Sequence, residues 1–150
     1  MKHRTYRYFE GQPLYPFGYG LSFSKFAYSG ATLSTSTLKA GDDLEVEVDV
    51  RNTGKRAGDE VVQAYLVFPR LTGAPLRALR GFQRVSVRPG QSQHVRLTLT
   101  PRDLSMVDEA GTRLVAGGAY KLFVGGGQPG TGAAGVELPL RIEGEQKLPR

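Results

Sequence analysis

From Phe26 onward, apolar and polar residues alternate with a period of two. The clearest run is Asp43-Leu44-Glu45-Val46-Glu47-Val48-Asp49-Val50-Arg51-Asn52. It predicts a strand that puts Leu44, Val46, Val48 and Val50 on a core face and Glu45, Glu47, Asp49 and Arg51 in water. Asn52-Thr53-Gly54 predicts a turn, because glycine adopts a positive φ cheaply and asparagine tolerates one. Glu60–Phe68 reads as a longer, more apolar strand closed by Pro69. Further strands are predicted at Lys25–Leu33, Leu79–Val87, Gln93–Thr100, Thr112–Val115, Ala119–Gly125 and Val136–Glu143. Arg88-Pro89-Gly90-Gln91, Gly117-Gly118 and the glycine-rich stretch 125–135 separate the later ones. One helical turn is expected near Arg102–Val107. No segment supplies crossover helices, so the pattern predicts an all-β fold, an immunoglobulin- or fibronectin-like β-sandwich of seven to eight strands. That topology sets the Asp43–Asn52 strand beside Gln93–Thr100, with Val95, Leu97 and Leu99 facing in. Glu47 or Glu45 then meets Arg96 across the ladder.

The first 25 residues follow neither period. Tyr6, Tyr8, Phe9, Tyr15, Phe17, Tyr19, Phe23, Phe26 and Tyr28 are nine of the fourteen aromatics, and Gly11, Pro13, Pro16, Gly18 and Gly20 interrupt them. This predicts an irregular, aromatic-rich lead-in that packs its rings on something, including a surface outside these residues. The chain therefore divides into a lead-in at 1–25, a sandwich at 26–143 and a tail at 144–150. At 150 residues it has the length of one domain, able to bury about two-thirds of its extended surface.

Charge changes the picture locally. The net charge is +6, and no acid lies between Val61 and Arg102, where Arg70, Arg77, Arg80, Arg84, Arg88, Arg96 and Arg102 fall. Asp42, Asp43, Glu45, Glu47, Asp49, Asp59 and Glu60 lie just upstream. Strands pairing with complementary outer faces account for this without a ligand; a polyanion site or an interdomain surface are the alternatives.

Candidate chemistry is sparse. Cysteine is absent, which removes disulfides, thiolate nucleophiles and cysteine metal sites. The two histidines, His3 and His94, cannot build a dense metal centre, so no metal and no cofactor is expected. Most carboxylates alternate outward on strands or sit in turns, which favours solvated faces over a glycosidase pair. The cluster Gly125-Gly126-Gly127-Gln128-Pro129-Gly130 lacks a following Lys-Ser/Thr and a helix, so a flexible hairpin loop is expected rather than a phosphate cradle. No nucleophile elbow occurs, and no catalytic residue is assigned. Tyr6, Tyr8, Tyr15 and Tyr19 have faces on which sugars stack, although anchoring the lead-in to a neighbouring domain is the simpler use. No apolar run approaches the roughly 20 residues of a membrane helix, and the start shows no apolar stretch like a signal peptide.

Thr5-Tyr6-Arg7-Tyr8-Phe9-Glu10-Gly11-Gln12-Pro13-Leu14-Tyr15-Pro16-Phe17-Gly18-Tyr19-Gly20-Leu21-Ser22-Phe23-Ser24-Lys25-Phe26 closely resembles a particular junction in glycoside hydrolase family 3, the β-glucosidases and β-xylosidases. There it joins the α/β-sandwich domain to the C-terminal fibronectin type III-like domain. Val50-Arg51-Asn52-Thr53-Gly54, Gly58-Asp59-Glu60-Val61-Val62-Gln63-Ala64-Tyr65, Leu79-Arg80-Gly81-Phe82-Gln83-Arg84-Val85, Arg88-Pro89-Gly90-Gln91 and Gly117-Gly118-Ala119-Tyr120-Lys121-Leu122-Phe123-Val124-Gly125 continue the resemblance in order. The resemblance implies a non-catalytic accessory domain that stabilises catalytic domains and helps to place substrate. Its partners would be the α/β-sandwich and barrel domains of the parent glycosidase, with polysaccharide as a further partner. The family's Asp nucleophile and Glu acid/base belong to those preceding domains, and no carboxylate here sits in a matching motif. Tyr15, Phe17 and Tyr19 are the expected domain-interface residues. The resemblance implies a periplasmic or secreted enzyme whose export signal would lie upstream; glucoside and xyloside both stay open as substrate. A free-standing module binding acidic polysaccharide or nucleic acid through its arginine-rich face is the alternative, and Met1 leaves both open.

Overall fold

A computed structural model of the chain describes residues 5–149. Eleven strands are present among the described residues, eight of them the segments that alternation predicts and three of them short additions. In chain order they are β1 (Phe26–Leu33), β2 (Thr37–Lys39), β3 (Leu44–Asn52), β4 (Gly58–Val67), β5 (Arg77–Val87), β6 (Ser92–Leu99), β7 (Met106–Val107), β8 (Arg113–Val115), β9 (Gly118–Gly125), β10 (Gly135–Glu143) and β11 (Gln146–Lys147). One sheet has the order β1-β3-β6, and the facing sheet runs β2-β10-β9-β4-β5. A small third sheet, β11-β8-β7, adds pairing late in the chain, where Gln146 and Lys147 of the 144–150 segment lie opposite Val115 and Leu114.

The core follows from the pleat, which sends alternate side chains to one face. Leu44, Val46, Val48 and Val50 on β3 and Val95, Leu97 and Leu99 on β6 are buried, and from the other sheet they meet Val62, Ala64, Leu66, Leu122, Val124, Leu140 and Ile142. Strands β3 and β6 pair antiparallel, with Glu47 opposite Arg96 and Asp49 opposite His94. Glu47 forms an ion pair with Arg96, and on the second sheet Arg84 pairs with Asp59 across β4 and β5. Exposed and screened by solvent, such pairs add little to stability. These pairs draw the acidic and basic halves of the sequence together within the protein.

The helical turn expected near 102–107 is shorter and earlier. It is α1, Pro101–Leu104, with Pro101 at its first position and the Asp103 carboxylate accepting from the Thr100 amide at 2.9 Å and hydroxyl at 2.7 Å. Met106 and Val107 leave it to pair with β8.

The turn after β3 is built differently from the expectation. Gly54 does not take a positive φ. Its use is close approach, since a Cβ there would lie 3.1 Å from the Lys25 amide nitrogen. The turn is held by the fully buried Asn52, whose side chain donates to the carbonyls of Arg56 (2.8 Å) and Val87 (2.9 Å) and accepts from the Gly54 amide (2.8 Å).

Candidate functional site

The Tyr15-Pro16-Phe17-Gly18-Tyr19 segment organises the lead-in. Tyr19 donates its amide to the Pro16 carbonyl at 3.0 Å, and Gly18 has φ +77°, closing a tight turn that a side chain would strain. The turn sets Tyr15 and Tyr19 side by side, ring centres 5.4 Å apart. Phe17 stacks on Tyr6 at 4.2 Å, nearly parallel, and Tyr6 stands edge-on to Tyr65 of β4 at 6.3 Å.

Polar contacts fix the same segment to the five-stranded sheet. The Leu79 amide donates to the Tyr6 hydroxyl at 3.2 Å, and the Leu76 amide to the Arg7 carbonyl at 2.7 Å. The Phe17 amide donates to Gln128 Oε1 at 3.3 Å. Under this contact Tyr65 is fully buried, its hydroxyl donating to Gln63 Oε1 at 2.8 Å. Burial and the neighbouring Tyr6 push the Tyr65 phenol up to about 12.

Much of the apolar surface of the lead-in is open. Tyr15 is 75% exposed, Phe17 46% and Tyr19 56%, while Leu14, Leu21 and Phe23 each exceed 90%. Beneath them lies a cavity of about 850 Å³ whose walls include Tyr6, Tyr8, Phe9, Tyr15, Phe17 and Gln128. Phe82 on β5 is exposed as well, on the strand that borders this sheet.

Tyr15, Phe17 and Tyr19 therefore lie in one patch, with Phe17 divided between the patch and the anchor. Sequence reasoning missed Gln128. The glycine-rich stretch around it is the expected hairpin loop between β9 and β10, but it is packed: Gly127, Gln128 and Pro129 are buried, and Thr131 Oγ1 donates to the Gln128 carbonyl at 2.7 Å. A Cβ on Gly125 would lie 2.8 Å from the Gly135 Cα, so this glycine serves the close approach of β9 and β10. A buried amide inside a glycine cluster was the available signal.

The other titratable groups make no reaction centre. Tyr28 donates its hydroxyl to Glu60 Oε1 at 2.8 Å; burial raises both groups, and the carboxylate raises the phenol further. His94 lies between Asp49 (2.8 Å) and Glu47 (3.4 Å), and the hydrogen bond to Asp49 raises it above its ordinary value. No group of three or more metal-ligating side chains occurs among the described residues, and His3 lies outside them. No helix among them is long and apolar enough to cross a membrane.

A two-sheet sandwich carrying a docked aromatic segment with an open outer side defines a fibronectin-type module. Residues 60–128 match the family described as the fibronectin type III-like domain. The chain belongs among the fibronectin type III-like domains of glycoside hydrolase family 3. It is 33% identical to a β-xylosidase of Formosa agariphila over 91% of its own length and 19% of that protein. To a β-glucosidase of Bacteroides ovatus it is 34% identical, over 81% of its length and 17% of that protein. The structure of β-glucosidase 3B from Thermotoga neapolitana superimposes with a TM-score of 0.82 at 31% identity, covering 95% of this chain and 19% of that one. The chain thus spans less than a fifth of the length of these relatives.

Proposed function

We propose that this chain is the non-catalytic accessory domain of a β-glycosidase acting on β-glucosides or β-xylosides. It stabilises the α/β-sandwich and barrel domains by packing its lead-in against them, and helps to hold substrate near their active site. Tyr15, Phe17 and Tyr19 are the contact residues. The carrying observation is the row of exposed rings on a lead-in that is itself pinned to the sandwich through Tyr6, Phe17 and Gln128. Relatives five or more times longer supply the missing partner in this reading. Polysaccharide is a second partner on the same rings, by stacking on Tyr15 and Tyr19. The arginine-rich face supports the polyanion alternative poorly, because Arg84 and Arg96 already have carboxylate partners.

The test is association between the purified chain and the separately expressed catalytic portion of its parent enzyme. Wild type should bind, and Tyr15→Ser/Phe17→Ser/Tyr19→Ser should lose at least tenfold in affinity while keeping its circular dichroism spectrum. The same variant should bind less of an apolar-surface dye and self-associate less at high concentration. Equal affinity for wild type and variant would overturn the reading. Turnover of a chromogenic β-glucoside by the chain alone would do so too.

A further inference from the structure

The end of the aromatic cavity nearest Arg7 adjoins a second feature, a group of arginines without acidic partners. Strand β5 pairs with β4 at Leu79 opposite Tyr65 and at Gly81 opposite Ala64, so Arg80 is an extra residue in a β-bulge. A bulge re-aims the side chain it carries. Here it turns the Arg80 guanidinium across the Phe68 ring, 5.4 Å from its centre, where Nη2 donates to the Ser105 carbonyl at 2.7 Å. Nε of Arg80 is buried with no partner. Arg113 donates from Nη1 to the Ser105 hydroxyl at 3.1 Å, and the exposed Arg7 guanidinium lies over the Tyr6 ring at 6.0 Å, lining the cavity.

These three charges are close enough to act on one another. Burial, and then the positive charge of Arg7, push the Arg80 guanidinium below its usual range, and Arg113 adds to this. Asp103 is the carboxylate that opposes them, and its Oδ2 is occupied by the Thr100 amide and hydroxyl. Among the described residues, no ion pair involves Arg7, Arg80 or Arg113. A desolvated guanidinium with two like-charged neighbours, opposed by Asp103 without an ion pair, leaves a positive field that an incoming carboxylate meets favourably.

We infer that the partner domain presents an Asp or Glu carboxylate to Arg7 at the mouth of the cavity, beside an apolar side chain seated among Tyr8, Phe9 and Phe17. Arg7 makes the contact, and Arg80 and Arg113 behind it supply the field. The inference rests on the proposed docking function and adds the chemistry of the partner: an acidic residue flanking an apolar one. Two observations commit the site to this occupant: no carboxylate among the described residues forms an ion pair with it, and the relatives are several hundred residues longer than a domain of this length.

The experiment uses the intact chain with two small probes of the same shape, phenylbutyrate and its uncharged amide, titrated by NMR of backbone amides and arginine Nε–H groups. Phenylbutyrate should shift Arg7, Phe17 and Gln128 saturably, and bind about three- to fivefold more tightly than the amide. Arg7→Gln should reduce its affinity to that of the amide, as should about 0.5 M salt. Arg7 is exposed and its hydrogen bond to Leu76 is made by the backbone carbonyl, so this variant, which gives up only the contact of the guanidinium with the Tyr6 ring, keeps the fold. Equal affinity for the two probes, or an unchanged Arg7→Gln variant, would overturn the acidic contact while leaving the docking function standing on the ring variant above. No saturable shift with either probe would overturn the inference outright.

Discussion

At the scale of single residues, two polar side chains have clear energetic consequences. His94 is raised by its hydrogen bond to Asp49 and by the charges of Asp49 and Glu47, so protonation is favoured in the folded state. Its contribution to stability is then full below the unfolded value of about 6.5, and is lost as pH rises through the raised folded value. The destabilisation caused by His94→Gln should be largest near pH 5.5 and should vanish in mildly alkaline solution, as read by urea midpoints across that range. A difference independent of pH would contradict the pairing. Asn52 acts through geometry instead. Asn52→Ala deletes two donors and strands the carbonyls of Arg56 and Val87, and should lower stability by about 1–3 kcal/mol in denaturant unfolding. The Asn-x-Gly pattern revealed a turn, yet the buried amide that makes it was not legible, because one partner, Val87, is 35 residues away.

At the scale of elements, the strands were readable and the lead-in was not. Period-two alternation over β3 and β6 dictates which side chains share a face and narrowed the partner of Arg96 to Glu47 or Glu45; the observed register selects Glu47. Short strands such as β2, β7 and β11 escape that reading, since two or three residues carry no period, and β2 and β11 are held by pairing with distant segments. In the lead-in, ring density pointed to Tyr15, Phe17 and Tyr19 as a surface but gave no means of dividing anchor from contact. That division depends on Tyr6 reaching Leu79 and on Phe17 reaching Gln128, which lies 111 residues away. Tyr6 is accordingly the residue on which the element hangs. Tyr6→Ala should release the segment, making limited proteolysis between residues 5 and 23 several-fold faster while the sandwich keeps its β-sheet circular dichroism. An unchanged cleavage rate would mean that the stack on Phe17 does not hold it.

For the molecule as a whole, the closed core and the open lead-in face belong to different problems. Leu44, Val48, Leu66 and Leu122 complete a core between the two sheets without help from outside. The lead-in face exposes Leu14, Tyr15, Leu21 and Phe23, an arrangement that gains its free energy only when another surface covers it. Hydroxyl-radical footprinting of Tyr15, Phe17, Tyr19 and Phe23 in the isolated chain and in the complete β-glycosidase proposed as its parent measures that covering directly. Covering by the catalytic domains predicts at least a several-fold fall in oxidation of Tyr15, Phe17 and Tyr19 in the complete enzyme. Equal oxidation in the two forms would contradict the assignment of this face to a neighbouring domain.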